Sequence, residues 1–337
     1  MPSEMKRALP SLLRAALWFM AFAPAVFAQT AAPAPAKPFR IGWLSGGAGA
    51  AYVEFVNAFR EGLREFGWTD GRHFVLVPRH AEGRLEKLDE LAAELVSIKV
   101  DLIVATTPSA LVAVQAATKT IPIVMVYGPD PAEAGMVTSL ARPGGNVTGL
   151  TSLSVDLSVK QLELLRALAP AITRVAVLWN PANPWHPTAV QRVRAAMQVM
   201  GGHLVEVPVR TPDDLEVAFK TMASERVGAL LSLSDPMTFS HRARLADLAV
   251  QHRLPSMHGV VAYTEAGGLA SYWPNDVAMH RRAAAYVHRI LGGGVKPADL
   301  PVEQPTRFEL VINLKTAKRL GLQVPATVLA RTDRTIE

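Results

Sequence analysis

Cysteine is absent from all 337 residues. No disulfide can brace the chain, so its folded parts must be held by core burial alone. Charge is sparse too: 19% of residues are charged and half are hydrophobic. That balance excludes a disordered chain and a multi-span membrane protein. The formal net charge is +6, but lysine and arginine are scattered and never form a block of five or six. A nucleic-acid face needs clustering, so nucleic acid is not expected as a partner. No H-E-x-x-H occurs, and no G-x-S-x-G nucleophile elbow. His280 and His288 stand eight apart beside Arg281, Arg282 and Arg289, which reads as a solvated helix face. Neither a metal nor an organic cofactor is therefore expected, and enzyme chemistry has little support.

The N-terminus reads as an export signal. Lys6, Arg7 and Arg14 form a basic front, and Ala15 to Phe27 is an apolar run. The run is shorter than the roughly 20 residues that span a bilayer. Val26-Phe27-Ala28 offers small residues for cleavage. Residues 1–28 are expected to be a signal peptide. Residues 29–38, QTAAPAPAKP, are expected to be a flexible Pro/Ala linker. With no cysteine after the run to carry a lipid, the expected location is the bacterial periplasm, free of a membrane anchor.

From residue 39 strand and helix patterns alternate. PFRIGWLS, HFVLVPRH, DLIVATT and IPIVMVY read as strands, most of them buried runs between helices. Val53, Val56, Phe59 and Leu63 mark the first helix by their spacing of three and four. The pattern restarts after residue 152, with TRVAVLWN, HLVEVPV, VGALLSLS, LPSMHG and GGLASYWP as strands. Helices are expected over 156–168, 188–200, 213–223, 239–252 and 276–291, then FELVIN and a short helix over 315–320. Buried strands separated by helices indicate parallel sheets covered on both faces. Two successive sets predict an α/β molecule of two doubly wound lobes with a cleft. Ligands should meet the loops at the carboxyl ends of its strands.

Two motifs invite a different reading. In LARPGGNVTGLT, residues 140–151, Gly144 and Gly149 have P-loop spacing, but Leu150 stands where the phosphate-binding lysine belongs. Asn146-Val147-Thr148 is a glycosylation sequon, of little meaning in a bacterium. Turn chemistry explains the stretch better: Pro143 and two glycines turn the chain, and Asn146 opens an extended segment leading to the first crossing between lobes. Gly47-x-Gly49 resembles the start of a dinucleotide fingerprint, with Glu82 as its ribose acid, but Tyr52 replaces the third glycine.

What remains is a ring of strand-end residues: Ser45, Thr106, Thr107, Tyr127, Asp130, Asn180, Ser234, Asp235, Tyr272 and Trp273. Hydroxyls and helix N-termini hold a carboxylate, and an acid holds an ammonium. An aromatic ring covers apolar surface, worth roughly 4–6 kcal/mol per ring buried. This kit suits a small zwitterion or polar ring. Each residue also has an ordinary reading as loop or cap chemistry: Thr106-Thr107-Pro108-Ser109 can cap the next helix, and Asp130 and Asp235 precede prolines in ordinary turns.

Seven stretches resemble the substrate-binding proteins of ABC importers that have a type I periplasmic binding fold. They are EGLREFGWTDGRHF (61–74), LAAELVSIKVDLIVATT (91–107), IPIVMVYGPDPAEAGMVTSLARPGGNVTGL (121–150) and RVAVLWNPANP (174–184). HRLPSMHG (252–259), EAGGLASYWP (265–274) and ADLPVEQPTRFELVINLKTAKRLGL (298–322) complete the set. The resemblance implies two Rossmann-like lobes joined by a three-crossing hinge. One lobe would comprise residues 39–152 plus 276–304, the other 153–275 plus 305–337. It implies a monomer that captures a small polar solute, such as an amino acid, aromatic ones included, by hinge closure and delivers it to a membrane permease. The alternatives are a binding protein feeding a sensor kinase and an enzyme on the same scaffold. Where relatives usually carry Tyr-Gly-Pro, this chain has Tyr272-Trp273-Pro274, and Trp185-His186 stands where smaller residues are expected.

Overall fold

In the computed structural model, which describes residues 37–128 and 137–337, the first apolar run becomes β1 (Phe39–Ser45), buried from Ile41 onward. It is followed by α1 (Val53–Glu65), β2 (Phe74–His80), α2 (Leu88–Ser97), β3 (Leu102–Ala105), α3 (Pro108–Ala117), β4 (Ile123–Gly128) and β5 (Val147–Thr151). The five strands form one parallel sheet in the order β2-β1-β3-β4-β5. Phe55, Phe59 and Leu63 recur every four residues and bury one stripe of α1. Gly67, at φ +78, lets the chain leave that helix. A buried aliphatic side chain such as Leu63 contributes about 1.5–3 kcal/mol by leaving water.

The second sheet draws on α4 (Ser154–Leu168), β6 (Arg174–Trp179), α5 (His186–Val199), β7 (His203–Pro208), α6 (Asp214–Ser224), β8 (Ala229–Ser232), α7 (Pro236–Ser240), α8 (Arg242–Gln251), β9 (Ser256–His258), α9 (Val261–Glu265) and β10 (Ala270–Trp273). The chain then forms α10 (Asp276–Val287), β11 (Glu309–Asn313), α11 (Leu314–Arg319), α12 (Ala326–Leu329) and β12 (Arg334–Ile336). Seven strands line up as β12-β11-β10-β9-β8-β6-β7, and β11 runs antiparallel to β10.

Helix α10 returns to the first sheet. Met279, Ala283, Ala284 and Val287 share a core with Trp43, Phe59 and Val124. A side chain on Gly62 would come within 2.6 Å of the Arg281 carbonyl, so α1 and α10 approach closely through that glycine. Three crossings therefore join the lobes: Thr151 to Ser154, Trp273 to Asp276, and Glu303 to Glu309. Glu303 still belongs to the first lobe, because its N–H donates to the Gly149 carbonyl at 2.9 Å. Asn275 Nδ2 donates to Glu309 Oε1 at 3.1 Å and ties the second crossing to the third. The result is two doubly wound α/β lobes on a three-crossing hinge.

Several local expectations are corrected. The helix expected over 239–252 is two helices, α7 and α8. Asp235 and Pro236 start α7 early, and Ser240 Oγ donates to the Pro236 carbonyl at 2.9 Å before the break at His241. The helix expected over 276–291 ends as α-helix at Val287 and finishes in a wider turn. His280 is not solvated. It is fully buried and stacks on Phe55 at 4.7 Å and Trp43 at 5.6 Å, while its neighbours Arg281 and Arg282 face water. The elements α9, α12 and β12 have no counterpart in the sequence reading. Glu82 accepts the Gly49 N–H at 3.1 Å, so the acid suggested by the dinucleotide pattern holds a loop. Residues 1–36 and Asp130 lie outside the described residues.

Candidate functional site

Strand ends of both sheets converge on a cavity of about 90 Å³. By the share one water needs, this is room for several waters or one small organic solute. Seven aromatic side chains line it: Tyr52, Phe55, Tyr127, Trp185, Phe239, Tyr263 and Trp273. The chain has only five tyrosines and six tryptophans, so the cavity gathers three of the former and two of the latter. Phe55 lies between His280 and Phe239, and Tyr52 meets Phe239 edge-on at 5.2 Å. The contacts of Phe55 and Tyr52 with Phe239 both join the two lobes. Ala48 N–H adds a hydrogen bond between them, donating to Ser240 Oγ at 3.1 Å.

The first lobe presents the start of α3. Thr106 Oγ1 donates to the Leu44 carbonyl at 3.1 Å, and Thr107 Oγ1 accepts the Ala110 N–H at 3.3 Å. Thr107 therefore caps the helix, with Pro108 at its first position. Both threonines border the cavity.

The second lobe presents Asp235, whose carboxylate is already in use. Oδ1 accepts the Met237 N–H at 3.0 Å and Asn180 Nδ2 at 3.2 Å, and Oδ2 accepts Asn183 Nδ2 at 3.3 Å. Behind it, the Asn180 N–H donates to His186 Nδ1 at 2.9 Å, and His186 Nε2 lies 3.2 Å from the Ser234 carbonyl. A backbone N–H can only donate and a carbonyl can only accept, so the ring is neutral with its proton on Nε2. Burial pushes its pKa below the usual histidine value, in keeping with that state. A side chain on Gly259 would fall 2.0 Å from Ser234 Oγ and 3.2 Å from the Trp273 ring, so glycine leaves room for both.

At the hinge stands Asp276, buried at the first position of α10. Its Oδ1 accepts the Tyr127 hydroxyl and Trp273 Nε1, the latter at 3.1 Å. Its Oδ2 is buried and has no hydrogen-bond partner. Burial pushes its pKa up to about 7; the bonds from Tyr127 and Trp273 pull it down, and Glu54 and Glu309 push it further up. Among the described residues, no lysine or arginine lines the cavity.

Of the strand-end residues read from the sequence, Thr106, Thr107, Tyr127, Ser234, Asp235 and Trp273 line the cavity. Ser45 lies buried behind the wall, where Oγ accepts the Gly47 N–H at 3.3 Å. Asn180 is buried behind Asp235. Tyr272 points the other way, as its neighbour Trp273 requires in a strand, and stacks on Phe308 at 5.7 Å. The sequence reading passed over Tyr52, Phe55, Phe239, Tyr263 and Asp276. Asp276 carried one usable signal, its place two residues after Pro274 at the crossing.

Residues 48–336 match the family described as ABC transporter substrate binding protein. The chain belongs to that family. This substrate-binding protein is 29% identical over 267 residues to the tyrosine-binding protein of Clostridioides difficile strain R20291, across 79% of this chain and 76% of that one. A conserved domain protein of Vibrio cholerae superposes with a TM-score of 0.82 at 27% identity, over 89% of this chain and all of that one. An ABC domain from Streptococcus pneumoniae, solved in complex with L-Trp, superposes with a TM-score of 0.80 at 26% identity and the same coverage. The architecture is the type I periplasmic binding protein fold. No helix among the described residues is long and apolar enough to cross a membrane.

Proposed function

We propose that this substrate-binding protein captures an aromatic amino acid in the periplasm, as a monomer, and hands it unaltered to the permease of an ABC importer. One observation carries the reading: an aromatic-poor chain concentrates seven rings around one small cavity where its two lobes meet. An aromatic side chain inside it gains offset and edge-on ring contacts beyond the burial of its area. The relatives named for tyrosine and solved with L-Trp add support.

The mechanism is hinge closure. In this reading residues 39–152 with 276–304 move as one body, and residues 153–275 with 305–337 as the other. A ligand that touches both walls only when they meet shifts the population by its differential affinity. The Ala48–Ser240 bond and the Tyr52–Phe239 contact hold the closed arrangement. Residues 1–28 act as the export signal. Thr106, Thr107, Tyr127, Ser234, Asp235 and Trp273 are the proposed contacts carried over from sequence, joined by Tyr52, Phe55, Phe239 and Asp276.

A thermal-shift screen tests this. L-Tyr, L-Trp or L-Phe at 100 times its dissociation constant is expected to add about 2.7 kcal/mol of stability. Stabilisation by sugars or purines and none by these three would overturn the reading. Trp273→Gly is expected to change which of the three stabilises most, because the indole fills the cavity wall and also donates to Asp276. An unchanged order would remove Trp273 from the site.

A further inference from the structure

The cavity is charged on one side only. Its wall holds two carboxyl groups, the neutral His186 ring and, among the described residues, no lysine or arginine. The Asp235 oxygens are engaged by Met237, Asn180 and Asn183, so this carboxylate shapes the wall instead of awaiting a ligand. Asp276 differs. Tyr127 and Trp273 both spend their donors on Oδ1, and the buried Oδ2 has none. A buried carboxylate oxygen without a donor is costly, and a ligand that brings a charged N–H removes that cost. A ligand carboxylate gains much less. It meets only neutral donors, such as the serine hydroxyls and the start of α3, where Thr107 Oγ1 already takes the Ala110 N–H.

We propose that Asp276 Oδ2 accepts the protonated amine of the ligand and decides specificity, so the cleft selects aromatic amines, with the carboxylate of an amino acid a minor contributor. This rests on the reading of the cleft as an aromatic-solute site, and it narrows that class. Compounds with ring and amine but no acid bind; compounds with ring and acid but no amine do not.

The test is calorimetric titration of the full mature protein at about pH 8 with six probes. These are L-tryptophan, tryptamine and indole-3-propionate, and L-tyrosine, tyramine and 3-(4-hydroxyphenyl)propionate. For the series that binds, loss of the carboxylate is expected to weaken affinity less than about tenfold. Loss of the amine should weaken it about 100-fold or more, the scale of a hydrogen bond to a charged group. Asp276→Asn, which keeps an acceptor for Tyr127 and Trp273, should bring amine and acid within about tenfold of one another. If the acid binds wild type as well as the amine does, the inference fails while the aromatic reading stands. If none of the six binds, the reading beneath it fails and takes the inference with it.

A second readout needs no variant. Below its midpoint Asp276 must lose a proton to hold the ammonium, so wild-type affinity for the amines should weaken, by roughly tenfold per pH unit well below that midpoint. The groups facing Asp276 are Tyr127 from β4, Tyr52 and Glu54 at the start of α1, His280 on α10 and Glu309 on β11. Burial pushes both tyrosines up and holds His280 down to about 4, so all three stay neutral across the window. An amine affinity equal at pH 6 and pH 8 would overturn the assignment.

Discussion

Asp276→Asn is expected to remove a stability loss on the order of 4 kcal/mol that the unliganded protein suffers as pH rises from about 4 to about 7. Burial raises the carboxyl from 3.8 to about 7 in the folded chain. Across that interval the folded state holds a proton the unfolded state has released. By linkage, stability from this group is full below 3.8 and is lost as pH rises towards 7. Three buried histidines pull the opposite way. Burial lowers His258 to about 3 and His280 to about 4, and it lowers His186. Their contribution is present above the ordinary histidine value and is lost on acidification. The wild-type profile therefore mixes both slopes, and the difference between wild type and variant isolates Asp276. Urea midpoints of both proteins, taken between about pH 4 and pH 8, make the measurement. The asparagine leaves one amide donor unpaired at every pH, which offsets the difference without tilting it. Parallel curves would show that Asp276 keeps an ordinary carboxyl.

Gly149→Ala should cost about 3 kcal/mol or more, near 10 °C in melting temperature for a domain of this size. Gly149 has φ +129, a backbone geometry that L side chains rarely adopt. A Cβ there would lie 2.2 Å from the Met125 carbonyl oxygen, a main-chain atom that cannot rotate away. The residue sits where β5 pairs with β4 and the register shifts between Met125 and Gly128. Gly145→Ala, four residues earlier, is the control: its added carbon meets nothing within 4 Å. Equal melting temperatures for the two variants would refute the account. The glycine that imitates a P-loop in the sequence thus serves a strand pairing at the first crossing.

The lobes and their order were legible because buried strands write themselves as apolar runs and helices as a three-and-four spacing. LIVA of β3 is a case in point; on α1 the spacing found Phe59 and Leu63, but it took in Val53, which is exposed, and missed the buried Phe55. Six residues of the wall were legible too, since strand ends supply them. The rest depended on orientation. Alternation says that Tyr272 and Trp273 face opposite ways, but not which of them faces the cleft. On α10 the arginines marked the wet face correctly, while His280, one residue earlier, turned into the aromatic core. Asp276 looked like a helix start, and only folding put Tyr127, from a strand 149 positions away, on its oxygen. The elements α9, α12 and β12 are three to five residues long, too short to display a period.

The placement of two indoles on the cavity wall gives the molecule a natural optical gauge. A solute in the cleft would meet the rings of Trp185 and Trp273, whereas Trp43 and Trp68 lie inside the first lobe and Trp179 packs against the core of the second. Ultraviolet emission from the unlabelled chain is therefore expected to change with occupancy, against a steady background from the interior rings.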